Sequence, residues 1–203
     1  MLPFTHALMA HRGGSLEFVE NTLPAFRHAA SLEADILEMD CQLTKDGQVV
    51  VFHDNYIDRM CGTGEKKTIG DFNYKELPPI QIPAHLKDKR EVVDNPDSYK
   101  IPLFEQVLME FPDCAMQVDV KHGPEELVIK TGDLIKKYNR ERKTVCFSTF
   151  IVAAHISRSG AHFVTGSTIC AESTLERVFR YSTITEEPFH PTCYVKSACG
   201  NST

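Results

Sequence analysis

The sequence predicts an α/β fold built on a parallel sheet or barrel. Short apolar strands alternate along the chain with amphipathic helices, which is the order that parallel strands joined by helical crossovers produce. A chain of 203 residues can bury a sizeable core within one domain. The composition, 42% hydrophobic and 25% charged, is that of an ordinary globular protein and not of a disordered one.

The first strand and the first helix lie within residues 7–30. The apolar run at 7–10 predicts a short strand that ends at His11. Thr22 is a suitable N-cap residue and Pro24 follows it in the first turn, so a helix is expected from this point through residue 30. The two elements form the first strand–helix unit of the predicted fold.

The next strand, at residues 35–40, carries two acids on one face. Because side chains alternate along a strand, Glu38 and Asp40 point the same way, and this is expected if they face a site. A solvated strand face is the alternative interpretation. Asp46-Gly47 between two apolar runs predicts a hairpin that folds back and delivers His53 beside the two acids.

Residues 55–100 are rich in Asp, Lys, Pro and Asn, and are expected to form a loop-rich insertion with little core of its own. Downstream of it the strand–helix alternation resumes, which completes a count of about five parallel strands. The remaining predicted elements are a helix from residue 101, a strand at 116–121, a helix at 125–142, and strands at 144–149 and 162–166.

Charge and composition exclude several classes of protein. The net charge of −6 and the lack of a basic run argue against a nucleic-acid partner. Seven cysteines without a CxxC pair indicate reduced thiols in a protein that is exposed to the cytosol. No apolar run reaches the roughly 20 residues of a membrane span, and no secretory signal is present, so a cytoplasmic or membrane-associated location is expected. We expect one domain at 1–185 and a disordered tail at 186–203.

Residues 11–54 concentrate the groups needed to cleave a phosphodiester. Two histidines can move protons, paired carboxylates can hold a divalent cation, and an arginine beside a glycine pair can clamp a phosphate. Ser148 lacks the context of a nucleophile elbow, which argues against a serine hydrolase. The segments are His11-Arg12-Gly13-Gly14, Glu20-Asn21-Thr22, Glu38-Met39-Asp40 and His53-Asp54.

These motifs, in this order, resemble the glycerophosphodiester phosphodiesterase family over residues 6–150. Further matches are Thr44-Lys45-Asp46-Gly47, a helix start at Pro102, and the strand Val118-Asp119-Val120-Lys121. The spacing is most similar to the eukaryotic, lysophospholipase D-like branch, whose members usually carry an N-terminal membrane segment. The resemblance implies a TIM (β/α)8 barrel with its site at the carboxyl ends of the strands.

The resemblance also implies an activity and a role for each site residue. The implied reaction is metal-dependent hydrolysis of glycerophosphodiesters or lysophospholipids, with a small-molecule or lysolipid phosphodiester as the substrate and Mg²⁺ or Ca²⁺ as the cofactor. The implied roles are acid/base catalysis for His11 and His53, metal binding for Glu38, Asp40 and Asp119, phosphate contact for Arg12 and Lys121, and bracing of the site for Glu20 and Asn21.

Alternatives remain for some of these residues. Glu20 and Asn21 are equally readable as capping residues at the helix entry. Asp119, which stands where the family usually has Glu, could be a surface acid paired with Lys121. The chain also lacks the Trp-bearing strand and the Thr-Asp-x-Pro element of the family's last third. We therefore expect an incomplete barrel, about five of eight strands, in a truncated or alternatively spliced form that diverges near residue 150. A catalytically silent isoform that binds a ligand or partner is the alternative function.

Overall fold

Five parallel strands and one antiparallel strand form a single sheet in the computed structural model, which describes residues 7–121, 123–148 and 163–165. The parallel strands lie in the order β1-β2-β4-β5-β6, and β3 pairs antiparallel with β2. The α/β prediction is confirmed, and the described residues contain the five parallel strands that were predicted. The strands are β1 (Met9–Ala10), β2 (Ile36–Leu43), β3 (Val49–Val51), β4 (Ala115–Val120), β5 (Thr144–Ser148) and β6 (Phe163–Thr165).

Helices alternate with the parallel strands along the chain, as the sequence predicts. Thr22 is at the N-cap position of the first helix, although its hydroxyl donates to the Val19 carbonyl and not to the helix. The helices are α1 (Leu23–Ser31), α2 (Asp58–Cys61), α3 (Arg90–Val93), α4 (Phe104–Glu110) and α5 (Glu125–Lys137). Short 3₁₀ turns are at His11–Gly13, Ile69–Asp71, Tyr74–Glu76, Ala84–Leu86 and Pro96–Tyr99.

The central strand β2 is buried on both of its faces, as the middle strand of a parallel sheet should be. One face carries Leu37, Met39 and Cys41, which belong to the main hydrophobic core beneath α1, α4 and α5. The other face carries Glu38 and Asp40. Alternation along the strand therefore separates the packing residues from the acids.

The pairing of β2 with β4 brings acids from the two strands to the same level. Asp40 is opposite Asp119, and Glu38 is opposite Gln117. Along β4 the burial alternates, so its two valines are buried while Gln117 and Asp119 remain partly exposed. Gln117 and Asp119 therefore form the polar face of this strand.

The predicted hairpin joins β2 to β3. Its loop contains Gly47, whose φ of +73° is a left-handed conformation that glycine adopts without strain. Beyond β3 the Phe52 N–H continues the pairing, with a hydrogen bond of 2.8 Å to the Asp40 carbonyl. His53 is the next residue, so the hairpin returns the chain to the acids of β2 as predicted.

The insertion at 55–100 contains short helices and loops, as predicted, but the expectation that it has little core is wrong. Seven of its apolar side chains are buried and pack with Phe18, Val50 and Phe52 in a second hydrophobic cluster. These seven residues are separated by polar turns, so no periodicity reveals them in the sequence. They are Ile57, Met60, Cys61, Ile69, Ile80, Leu86 and Val92.

Helix α5 ends at Lys137, before the predicted end at residue 142. Asn139 adopts a left-handed φ of +53°, and its N–H bonds the Lys136 carbonyl. The Arg140 N–H reaches back to the Ile135 carbonyl at 2.8 Å. Together the two bonds form a Schellman motif, which terminates a helix by satisfying its last carbonyls.

The side chain of Arg140 ties the end of α5 to the loop before β4. It is 2% exposed, and its guanidinium donates to the backbone carbonyls of Phe111, Pro112 and Cys114. Burial lowers the pKa of this guanidinium below its ordinary value. The cation is therefore held by carbonyl dipoles inside the fold.

Several expectations concern residues beyond this description. The tail at 186–203 and most of the divergent end after residue 148 lie outside the described residues, although β6 confirms the strand predicted at 162–166. Within the described ranges, no helix combines the length and the apolar character that crossing a bilayer requires.

Candidate active site

Glu38 and Asp40 are the buried acids at the centre of the candidate site. They are 5% and 2% exposed, so the alternative of a solvated strand face is wrong. The register of β2 and β4 adds Asp119 beside Asp40. Because both strands run parallel, these acids lie toward the same end of the sheet, the carboxyl-terminal end of the strands, where barrel enzymes build their sites.

The turn after β1 places His11 and Arg12 against Glu38. Arg12 has a φ of +52°, and Gly13 and Gly14 follow with φ of +76° and +92°. The Arg12 N–H donates to Glu38 Oε2 at 2.7 Å, and His11 Nε2 lies 3.9 Å from the same oxygen. A β-carbon at Gly13 would lie 2.9 Å from the β-carbon of Ala25, so the turn needs glycine there.

The guanidinium of Arg12 lies between two acids. Its Nη1 is 3.1 Å from Glu20 Oε1, and its Nε is 3.5 Å from Asp40 Oδ2. The buried Nε makes no hydrogen bond within the part of the chain that the structure describes. A donor in this situation is suited to an oxygen of a bound anion.

Asn21 holds Asp40 from the other side. Its Nδ2 donates to Asp40 Oδ2 at 2.8 Å, and its Oδ1 accepts from the Asp40 N–H at 3.4 Å. The residue is buried and has a φ of +57°. The side chain that could have capped α1 is therefore used to orient a site carboxylate.

Lys121 bridges the acids of β2 and β4. Its Nζ is 2.9 Å from Asp40 Oδ1 and 2.5 Å from Asp119 Oδ2. Burial alone would lower the pKa of Lys121, but the two carboxylates outweigh burial and raise it. The alternative pairing of Asp119 with Lys121 is thus present in the structure, within the site and not on a remote surface.

His53 is held by its sequence neighbour. His53 Nδ1 lies 2.7 Å from Asp54 Oδ1, and the two oxygens of Asp54 are contacted by the guanidinium of Arg59. Arg59 Nη2 also donates to Glu20 Oε1 at 2.7 Å. Arg59 lies in α2 of the insertion, and sequence analysis missed it because one arginine in a polar loop carries no pattern.

The surroundings of the site shift the pKa of an acid and of a base in opposite directions. Burial first, and then the charge of Asp40, raise the pKa of Glu38 from 4.5 to about 7. Burial and the neighbouring Arg12 lower the pKa of His11 below 6.5, although Asp40 and Glu20 oppose this effect. Perturbed acids and bases that share one edge are typical of catalytic sites.

A cavity of about 570 Å³ lies beside the histidine of the hairpin. It joins residues of the sheet edge with residues of the insertion, so a ligand there would contact both. The lining residues are His53, Asp54, Asn55, Tyr56, Asp58, Arg59, Lys66 and Lys121.

The charges of the site suit a divalent cation. Five carboxylates lie in the connected network, against three basic side chains, which leaves an excess of negative charge. Glu20, His53 and Asp54 each offer a ligand atom within 4.8 Å of the others. Their two carboxylates are paired with Arg59, and Asp40 and Asp119 are paired with Lys121, whereas Glu38 has no basic side chain at hydrogen-bond distance among the described contacts. Hard oxygen ligands of this kind are those that Mg²⁺ and Ca²⁺ prefer.

The structure defines an α/β protein with a parallel sheet, in which two histidines, clustered carboxylates and an arginine gather toward one end of the strands, an arrangement that suits a phosphodiester substrate. The family model described as "Glycerophosphoryl diester phosphodiesterase family" matches residues 11–175. The chain belongs to this family, as the motifs predicted.

Relatives of this chain extend beyond the region that they share with it. Lysophospholipase D GDPD1 of Homo sapiens is 40% identical over 137 residues, which cover 68% of this chain and 43% of the relative. Lysophospholipase D GDPD3 of Mus musculus is 37% identical over 149 residues, covering 70% and 42%. A glycerophosphodiester phosphodiesterase of Caldanaerobacter subterraneus is 35% identical and covers 70% and 57%. The likeness to the lysophospholipase D branch is confirmed, and the chain spans about half the length of these relatives or less.

Solved structures share the fold. The glycerophosphodiester phosphodiesterase from Thermotoga maritima superposes with a TM-score of 0.54 at 27% identity, covering 71% of this chain and 54% of that one. The enzyme of the same name from Agrobacterium tumefaciens gives 0.59 at 22% identity, covering 72% and 59%. These neighbours are TIM barrels, and the described part of this chain is an open sheet of that barrel. The prediction of a TIM-barrel fold is confirmed, and the residues that the structure describes form five parallel strands of it without closing the sheet.

Proposed function

We propose that this chain hydrolyses the phosphodiester bond of glycerophosphodiesters or lysophospholipids with the help of a divalent cation. The observation that carries the proposal is the meeting of His11 and Arg12 with the buried acids of β2, inside a chain of this family. The hairpin returns His53 to the same end of the sheet, since the residue before it bonds the Asp40 carbonyl. The names of the relatives, lysophospholipase D and glycerophosphodiester phosphodiesterase, support the substrate class.

The cation is assigned to Glu38, Asp40 and Asp119. Glu38 and Asp40 are buried carboxylates, and the raised pKa of Glu38 reflects a negative charge that its surroundings leave under-compensated. When bound, Mg²⁺ or Ca²⁺ would polarise the phosphate and offset the charge that develops on it. Lys121, which bridges Asp40 and Asp119, and Arg12, which has a buried free donor, would contact the phosphate oxygens.

The two histidines exchange the protons. One takes the proton of the nucleophile, either water or a substrate hydroxyl next to the phosphate, as the new P–O bond forms. The other gives a proton to the departing alcohol as its P–O bond breaks. We assign the acid role to His53, because its Nδ1 lies 2.7 Å from Asp54 Oδ1, which orients the ring and leaves Nε2 for the leaving oxygen. His11, whose lowered pKa favours its neutral form, is then the base.

Hydrolysis of lysophosphatidylcholine and glycerophosphocholine tests the proposal. Purified chain is assayed for choline release with Mg²⁺ or Ca²⁺, together with His11→Ala, His53→Ala and the exposed control His85→Ala. Loss of either catalytic histidine should lower kcat by about 100-fold or more, while the control matches the unmodified chain.

The outcomes separate the two candidate functions. A chain that melts cooperatively, shows a cation-dependent shift in Tm and releases no alcohol would overturn the hydrolase and support a binding module. Equal activity in all three variants would show that the histidines are not the acid and base.

An activated substrate tests the separate histidine roles. In a p-nitrophenyl ester of the same phosphate, the p-nitrophenolate group leaves without needing a proton. The acid therefore becomes dispensable, while the base does not. The His53→Ala variant should therefore recover most of its lost rate on this ester, whereas His11→Ala should not. Recovery in the opposite variant would reverse the assignment.

A further inference from the structure

Arg59 makes a chain of contacts that reaches both ends of the candidate site. Its Nε and Nη2 contact the two oxygens of Asp54, and Nη2 also donates to Glu20 Oε1 at 2.7 Å. Glu20 Oε1 accepts from Arg12 at 3.1 Å, and Asp54 accepts from His53. One guanidinium thus connects the supports of the proposed acid and of the proposed phosphate ligand.

The contact to Asp54 determines which ring nitrogen of His53 is free. An ionised carboxylate only accepts hydrogen bonds, so the Nδ1 that lies 2.7 Å from it carries the hydrogen. The other nitrogen, Nε2, is then the atom that exchanges a proton with a ligand. Arg59 holds both oxygens of Asp54 in a planar fork, which prevents the carboxylate from rotating away.

Charge and packing support the same arrangement. Burial would raise the pKa of Asp54, but hydrogen bonds from Arg59 and His53 outweigh burial and lower it, so the carboxylate stays ionised. Ile57, Met60 and Cys61 surround Arg59 in the sequence and are buried in the second cluster. The core of the insertion therefore anchors the short helix that presents the guanidinium.

We propose that Arg59 is a positioning residue, through which the insertion fixes the Nδ1–H tautomer of His53 and the place of Arg12. The proposal rests on the proposed function, because it assumes that His53 exchanges a proton with the substrate. It assigns a role to the 55–100 insertion, which orders the proposed catalytic groups from outside the barrel. The side chain of Arg59 is half exposed, and a simple surface ion pair would leave the ring of His53 unaffected.

The tautomer of His53 can be measured without turnover. Nitrogen-15 chemical shifts of the imidazole, recorded at a pH at which the ring is neutral, distinguish an Nδ1–H from an Nε2–H ring. We compare the unmodified chain with Arg59→Met, with Arg59→Lys, and with the control Arg90→Met, which alters an exposed arginine on α3 of the same insertion. Lysine keeps the charge but loses the two-pronged contact, so both Arg59 variants should shift His53 toward Nε2–H.

Kinetics provide the second measurement. Where the chain is active, both Arg59 variants should lower kcat by about 10–100-fold, with a smaller change in KM, as expected for a support behind a catalytic group. An unchanged His53 tautomer in either folded Arg59 variant would overturn the proposal, as would an equal shift in Arg90→Met. If His53→Ala retains full activity, the proposed function fails, while the tautomer result still decides whether Arg59 positions the ring.

Discussion

Replacing Glu38 with glutamine is expected to stabilise the fold while it removes a proposed ligand of the cation. Glu38 is 5% exposed, and burial, reinforced by Asp40, raises its pKa from 4.5 to about 7. Since each pKa unit corresponds to about 1.4 kcal/mol, the ionised carboxylate costs the native state about 3 kcal/mol. Glutamine keeps an oxygen for the Arg12 N–H, but it carries no charge.

The stabilisation should depend on pH in one direction. The carboxyl loses its proton near pH 4.5 in the unfolded chain and near pH 7 in the folded chain, so the folded chain binds more protons in between. The destabilisation by Glu38 is therefore absent below this window, and it grows progressively as the pH rises from about 4.5 to about 7. We expect Glu38→Gln to gain about 3 kcal/mol at pH 8 and less than about 1 kcal/mol at pH 5.

Urea unfolding at both pH values, with a chelator present, measures the difference. Glu91→Gln is the matched control, because Glu91 is exposed on α3 and should change stability by less than about 0.5 kcal/mol. A gain of equal size at the two pH values, or a loss of stability at pH 8, would refute the conclusion that burial perturbs Glu38. In the choline-release assay the same variant should be inactive, which is the usual exchange of stability for function at a site.

Three further substitutions test the supports of the fold. Gly13→Ala should lower the free energy of unfolding by about 1–3 kcal/mol more than Gly14→Ala, because both have positive φ but only Gly13 lacks room for a β-carbon. Arg140→Met should cost about 2 kcal/mol or more, since it leaves buried carbonyls without a donor, whereas exposed Arg142→Met should cost less than about 0.5 kcal/mol. Asn139→Ala should cost about 1 kcal/mol and a glycine there nothing, because the residue is left-handed. Thermal and urea unfolding measure all of these differences.

Each result has a contrary outcome. Equal losses at Gly13 and Gly14 would mean that the turn can move away from α1. A harmless Arg140→Met would mean that water replaces the guanidinium at the loop carbonyls. An Asn139→Ala variant that is as stable as the Asn139→Gly variant would contradict the Schellman termination of α5.

Local patterns were sufficient to predict much of the fold, and the family resemblance supplied most of the proposed site residues. Alternation placed Glu38 and Asp40 on one face of β2, and the Asp46-Gly47 turn predicted the hairpin that returns His53. These features depend on side-chain period and turn chemistry, which act over a few residues. The core of the insertion was mispredicted, because its buried residues meet only after distant turns pack together.

By itself, the sequence determined the order of strands and helices, the faces on which the acids lie and the family to which the chain belongs. Only the tertiary structure decided the burial, the ion pairing and the pKa of those groups. Burial raises the pKa of Glu38, Lys121 bridges two strands, and Arg59 reaches from the insertion to the support of His53. Desolvation and ion pairing depend on distances between residues far apart in the chain, and no local pattern encodes those distances.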